Sequence, residues 1–296
     1  MNSSEPAAQL AVAIVTRDRP EAFSRYALPL IETAQDSDIP VIVVDQSRDD
    51  RTATLLEPFP DVRYLRSATG LSRGRNAALA AADTPYLVLT DDDVTYEDGW
   101  VEVVLRAFEA EPEAAAVCGR VTSQDGEWYS GRRGIRRGAS RTFGLGTGCS
   151  TAFRVDALRR IGGFDEQLGS GSRFRSAEDT DVLYRLLLEG WTVVSTDELS
   201  VVHHGALSRS GEWRRHHAYG IGAGAQTAKH VGQGDWAAGR AGVQELGTHV
   251  ATAARAIRRG RLHVLSLQLA FVSGLVRGFL TYRYGDRRSP TALSPR

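Results

Sequence analysis

The strongest constraint on the fold is a set of short apolar runs that each stop on polar or acidic residues. Residues 10–15 (LAVAIV) end at Thr16-Arg17-Asp18-Arg19-Pro20, Pro40–Val44 ends at Asp45-Gln46-Ser47, and 85–90 (PYLVLT) ends at Asp91-Asp92-Asp93. Runs this short, apolar throughout, read as strands buried on both faces. Between them, residues 21–34 place Phe23, Tyr26, Ala27, Leu30 and Ile31 near one helical face, residues 73–82 (RGRNAALAAA) suit a helix, and Arg63–Leu65 suits a further strand. Strands alternating with helices predict an α/β fold, with a mostly parallel central sheet flanked by helices. Ligands of such sheets sit at the carboxyl ends of the strands. That places Thr16, Asp45 and Asp91 to Asp93 at a nucleotide site.

Further along, residues 125–148 are rich in Gly and Arg and read as a long loop. Its arginines, Arg132, Arg133, Arg136, Arg137 and Arg141, either stand in solvent or close over an anionic ligand. Residues 176–189 predict a helix with Val182, Leu183, Leu186 and Leu187 as its apolar stripe, and Trp191–Ser195 and Ser200–His203 predict short strands. From about 212 the chain reads as helical and basic, so the organisation expected is a domain over 1–210 and a helical extension over 211–296.

Three clusters can carry chemistry. Asp91, Asp92 and Asp93 repel one another unless a cation or water intervenes, so they read as a hard-metal site or as a solvated acidic turn. Glu178 and Asp179, with Asp181 close behind, are either ordinary acids at a helix start or a proton acceptor for a hydroxyl nucleophile. His203 and His204 follow a strand and point to opposite sides, so one of them at most joins the aspartates. Rival motifs fail: the chain has no GxxxxGK[ST] loop, no HExxH, no GxSxG and no GxGxxG after the first strand.

Taken in order, these pieces resemble the inverting family 2 glycosyltransferases of the GT-A fold. The resemblance rests on AIVTRDRP (13–20), VIVVDQS (41–47), GLSRGRNAAL (70–79), YLVLTDDDV (86–94), GTGCSTAFR (146–154), IGGFDEQLG (161–169), AEDTDVLYRLLLEGW (177–191) and VVHHGALS (201–208). It implies a sugar moved from a nucleotide-diphosphate donor to a hydroxyl acceptor by one displacement. Thr16, Arg17, Asp45, Arg75 and Asp92 would contact the donor, Asp45 near the base and Asp92 at the ribose. Asp91 and Asp93, with His203, would hold Mn²⁺ or Mg²⁺. Asp179 would be the catalytic base, and Glu178 would position it. The acceptor class implied is a glycan, a glycolipid or a metabolite, with lipid-linked acceptors included. Two other readings stand beside this one: a non-catalytic nucleotide-sugar-binding protein and a sugar nucleotidyltransferase.

The sequence also departs from the family's pattern. Asp18 stands where Asn is frequent, Gln46 where a second Asp is frequent, and Cys149-Ser150 where an Asn is frequent. Trp213 follows Arg209-Ser210-Gly211-Glu212 in place of the Q-x-x-R-W of processive polymerases, which favours single addition.

Charge adds two expectations. The 36 basic and 36 acidic residues cancel, which gives no support to a nucleic-acid partner. The balance is uneven along the chain: residues 1–208 hold 22 basic and 32 acidic residues, and 209–296 hold 14 and 4. The basic part includes Arg255, Arg258, Arg259 and Arg261 just before an amphipathic window from Leu262 to Leu280. It is expected either to dock peripherally on an anionic membrane or to pack against the acidic domain. Lys229 is the single lysine, so arginine supplies the other 35 basic residues. Two cysteines and no basic leader at residues 1–9 predict a reducing cytoplasm, at the inner face of the cell membrane if the extension docks there.

Overall fold

A computed structural model describes residues 9–123, 128–130, 134–138, 146–205 and 209–285. The first half alternates strand and helix: β1 (Leu10–Thr16), α1 (Pro20–Ala22), α2 (Leu28–Asp36), β2 (Val41–Asp45), α3 (Arg51–Leu55), β3 (Arg63–Arg66), α4 (Leu71–Ala81) and β4 (Tyr86–Asp91). A π-helical turn over Phe23–Ala27 joins α1 to α2. Then come β5 (Val94–Tyr96), α5 (Trp100–Ala110), β6 (Ala114–Ser123), β7 (Trp128–Ser130), β8 (Gly134–Arg137), β9 (Thr151–Arg154), α6 (Val155–Arg160), α7 (Glu178–Leu188) and β10 (Thr192–His203). Three long helices follow: α8 (Arg209–Gly232), α9 (Trp236–Arg258) and α10 (Leu262–Gly285).

The strands form one ten-stranded sheet in the order β3-β2-β1-β4-β9-β6-β10-β5, with β7 on β6 and β8 on β10. β1 pairs in parallel with β2 and with β4, and β6 pairs in parallel with β10. β9 runs antiparallel between β4 and β6, so the strands that carry the site still share one direction. The period of two in β1 sorts its side chains between two cores. Ala11, Ala13 and Val15 join a cluster that includes residues of α4, α6 and α7, and Leu10, Val12 and Ile14 join one that includes residues of α2 and α5. Burial on both faces explains why these strands are apolar throughout.

The long loop expected over 125–148 is corrected in part. Gly134–Arg137 is a strand that lies antiparallel along Thr192–Ser195. Its apolar content is one residue, Ile135, which is 49% exposed, so the edge position accepts it with almost no hydrophobic signal. Arg136 and Arg137 therefore lie at the amino end of β10, about 30 Å along the strand from His203. Arg137 pairs there with Glu111 at 2.7 Å, which takes both away from a ligand at the carboxyl ends. Arg132, Arg133 and Arg141 fall outside the described residues.

The basic extension packs against the rest of the chain. Asp181 of α7 is fully buried and meets Lys229 Nζ and His230 Nε2 of α8, each at 2.9 Å, and Arg185 Nε at 2.8 Å. Lys229 also reaches Asp165 at 2.7 Å, so the chain's single lysine is a buried tie between α8 and the strand-bearing half. Tyr184 donates to Asp235 at 2.6 Å, and Asp235 caps α9 by accepting from the backbone of Ala237 and Ala238.

Helices α8 and α10 run side by side in backbone contact. A Cβ at Gly220 or Gly224 would run into the carbonyl oxygen of Phe271 or Leu275, and one at Gly274 or Gly278 into that of His217 or Ile221. Rising pairs on both helices make the two parallel, as do Glu212 with His263 at 2.9 Å and His217 with Ala270 at 3.1 Å.

Candidate active site

The three strand ends fall where the sequence places them. β1 closes on Thr16, β2 on Asp45 and β4 on Asp91, side by side across the sheet. Thr16 donates its hydroxyl to Asp92 Oδ2 at 2.5 Å. Asp92 is fully buried, and Arg19 pairs with it from above. Burial pushes the Asp92 carboxyl up to about 6, against the opposing pull of Arg19 and the Thr16 hydrogen bond. Arg19 also donates to Asp93 Oδ2 at 2.8 Å, so one guanidinium spans two of the three aspartates.

Asp45 forms a separate group one strand further out. It is fully buried, and its carboxylate accepts from Tyr64 Oη at 2.8 Å, Arg66 at 3.0 Å and the Ser47 amide at 2.7 Å. Gln46 donates to Ser67, Ala68 and Gly70 and accepts from the Gly70 amide, stapling the turn that starts α4. An amide supplies both a donor and an acceptor here, which a carboxylate cannot do. Arg17 stands at the rim, 3.4 Å from Asp18.

Asp91, Asp93 and His203 bring one ligand atom each to within 4.8 Å of one another. Asp93 Oδ1 is buried, accepts no hydrogen bond among the described residues, and faces His203 Nε2 at 3.5 Å. A buried carboxylate oxygen in that state, with two further oxygen or nitrogen donors beside it, suits a hard divalent cation. The residues thus fit Mn²⁺ or Mg²⁺. His204 turns the other way, bonds to Thr95 at 2.9 Å and stacks on Tyr26 at 4.1 Å between ring centroids.

A second carboxylate group faces the first. Asp179 Oδ2 accepts from the Gly148 amide at 2.9 Å, and its Oδ1 accepts from Thr180 N at 2.7 Å, leaving the half-buried group fixed in direction. Glu178 beside it is buried and bonded to Arg75 at 3.0 Å. Burial, with the neighbouring Asp179 carboxylate, pushes Glu178 up to about 7. Arg75 is 2% exposed and extends to Asp91 at 3.5 Å, so it joins the two carboxylate groups. Burial works against its charge, but Glu178, Asp91 and Asp179 outweigh that and raise it. A Cβ at Gly148 would overlap the Arg75 guanidinium, which accounts for glycine in the GTGCS stretch.

Helix α8 closes this side. Ser176 Oγ donates to Ala218 O at 2.9 Å, and Thr180 donates to Gln226 at 2.9 Å. Tyr219 is half exposed and stands near Asp179 and Glu178: partial burial of its hydroxyl and those two carboxylates raise it, against Arg215. Arg19, Arg66 and Tyr219 belong to the site or its rim without a sequence signal of their own. Arg19 lies in the polar stretch after β1, and only the fold shows which carboxylates it meets.

Residues 12–164 match the family model described as glycosyl transferase family 2. The chain is similar to the pre-mycofactocin glycosyltransferase of Mycobacterium tuberculosis (strain ATCC 25618 / H37Rv), 29% identical over 185 residues. The match covers 57% of this chain and 37% of that relative, so the chain spans well under half of its length. It is also 25% identical over 242 residues to the N-acetylglucosaminyl-diphospho-decaprenol L-rhamnosyltransferase of the same organism, covering 67% of this chain and 77% of the relative. Among solved structures, the mannosyltransferase PcManGT from Pyrobaculum calidifontis, in complex with GDP-Man and Mn²⁺, aligns with a TM-score of 0.64 at 18% identity. That alignment covers 93% of this chain and 89% of the other, and it establishes the shared GT-A fold.

Proposed function

The chain belongs to glycosyl transferase family 2, and on that premise we propose that it transfers a sugar from a nucleotide-diphosphate donor to a hydroxyl acceptor with inversion. The observation that carries this reading is the facing of two carboxylate groups across Arg75. Asp91, Asp93 and His203 lie on one side, and Asp179, aimed by Gly148 and Thr180, lies on the other.

In this reading Asp91, Asp93 and His203 hold Mn²⁺ or Mg²⁺. When bound, the ion neutralises charge on the donor diphosphate. Arg19, half exposed at the same edge, brings positive charge to the same oxygens. Asp179 accepts the acceptor's hydroxyl proton as that oxygen forms a bond to the anomeric carbon. The bond from that carbon to the phosphate oxygen breaks, and the electron pair leaves with the nucleoside diphosphate. Attack opposite the leaving group inverts the carbon. Arg75 keeps Glu178 and Asp91 in place through both partners. Thr16 fixes Asp92 below, and the group of Asp45, Tyr64 and Arg66 lies where the donor base would reach past the strand ends.

A lipid-linked sugar diphosphate is the first acceptor class to test, because the rhamnosyltransferase relative is named for one. The decisive assay screens nucleotide sugars, GDP-mannose included, for Mn²⁺-dependent release of nucleoside diphosphate and for a raised melting temperature. One donor is expected to do both, since a ligand of the native state stabilises it. EDTA and Asp93→Ala are each expected to remove the release. Pyrophosphate as the product, or release unaffected by EDTA, would sink the proposal.

A further inference from the structure

The described residues expose twelve large hydrophobic side chains, and eight of them stand on α9 and α10. Trp236, Val243, Val250 and Ile257 recur every seven residues along α9, a ridge about 30 Å long. They lie opposite Ala238, Ala241, Gly242 and Ala256, which pack inward. On α10, Leu262, Leu269 and Val276 recur at the same interval, opposite the glycines in contact with α8. The two ridges converge at the turn between the helices. Ile257 (63% exposed) and Leu262 (74% exposed) flank Arg258, Arg259 and Arg261, and Arg255 lies one turn back.

Charge selects the occupant of this tip. Residues 236–285 contain seven arginines and one acid, Glu245. Two such tips meeting face to face would bring arginines against arginines. A two-helix seam also needs two large apolar positions in each heptad, and beside its ridge α9 offers Gly239, Leu246 and Ala253, of which only Leu246 is large. An apolar point ringed by guanidinium groups suits a surface with an apolar interior and anionic headgroups. We infer that the α9–α10 turn inserts Ile257 and Leu262 at the surface of an anionic lipid bilayer while Arg255, Arg258, Arg259 and Arg261 meet its headgroups.

The long axis of α10 also matters. It lies against α8, and α8 lies against Ser176–Thr180, so two helix spacings of about 10 Å each separate the outer side of α10 from the Asp179 segment. With the turn docked, a lipid-carried acceptor would have to span about 20 Å across α10 and α8 to reach Asp179. This last link rests on the transferase reading; the docking itself does not.

Co-sedimentation with vesicles tests it without any donor. The full chain is mixed with vesicles of phosphatidylcholine alone, or of phosphatidylcholine with one third phosphatidylglycerol. The expected result is firm binding to the anionic vesicles and little to the neutral ones. Replacing Arg255, Arg258, Arg259 and Arg261 with Ser is expected to weaken partitioning by up to about a thousandfold, at roughly 1 kcal/mol per arginine. Ile257→Ser with Leu262→Ser is expected to weaken it at least tenfold, and all six side chains are exposed, so the melting temperature should hold. Partitioning unchanged in both variants would overturn the inference, as would absence of binding to anionic vesicles. A concentration-dependent dimer in ultracentrifugation that the same substitutions abolish would assign the face to a second copy and overturn it too. A chain that binds vesicles but releases no nucleoside diphosphate would fault the transferase reading alone.

Discussion

Asp179→Asn is expected to lower sugar transfer about 10²- to 10⁴-fold, the range a positioned general base contributes, while leaving the fold and donor affinity nearly intact. The reason lies in how the side chain is held. Asp179 accepts one bond from Gly148 N and one from Thr180 N. An Asn oxygen keeps one of these and sets its NH₂ against the other backbone N–H, so a modest drop in melting temperature is expected while the fold holds. What Asn cannot do is take up a proton from the acceptor hydroxyl at neutral pH. A turnover assay beside a thermal melt separates the two effects. Full activity in a folded variant would remove Asp179 as the base.

Asp181→Ala is expected to act on stability, by about 3–5 kcal/mol, although it lies two residues from Asp179. Asp181 is fully buried among Lys229, His230 and Arg185. Burial alone would raise its carboxyl, but Lys229, Arg185 and His230 overrule that and hold it well below its ordinary value of 3.8. Removing the carboxylate leaves a buried cation with Asp165 alone and His230 without its acceptor. Urea denaturation measures the loss. Because the folded carboxyl is depressed, its contribution is complete above the unfolded value near 3.8 and is lost as pH falls below it. The gap between wild type and Asp181→Ala should therefore narrow in acid. A variant as stable as wild type at neutral pH would remove the network as a support of the α7–α8 contact.

The different roles of Asp179 and Asp181 show where sequence reasoning reaches and where it stops. The strand ends at Thr16, Asp45 and Asp91 were legible because buried parallel strands leave long apolar runs, and the break to polar residues marks the edge where ligands sit. The start of α7 was legible from its stripe of Val182, Leu183, Leu186 and Leu187, all buried. Asp181 reads in sequence as one more acid at a helix start. Its partners, Lys229 and His230, come nearly fifty residues later, and only tertiary packing brings them together. Arg19 was opaque for the same reason: its neighbours Asp92 and Asp93 lie more than seventy residues away. β8 was hidden because an edge strand of Gly, Ile and two Arg carries almost no apolar alternation. Gln46 looked like a departure at a donor-binding position, and the structure gives it four hydrogen bonds that organise the turn before α4.

Lys229 carries a consequence for chemical labelling. It is the only side-chain amine in the sequence, and in the fold it is 7% exposed with two carboxylates on its nitrogen. Acylating reagents need an accessible amine, and this one is buried between two carboxylates while α8 stays docked. Its modification rate would therefore follow the opening of the α7–α8 contact, giving a one-residue clock for how often the helical extension lifts from the catalytic half.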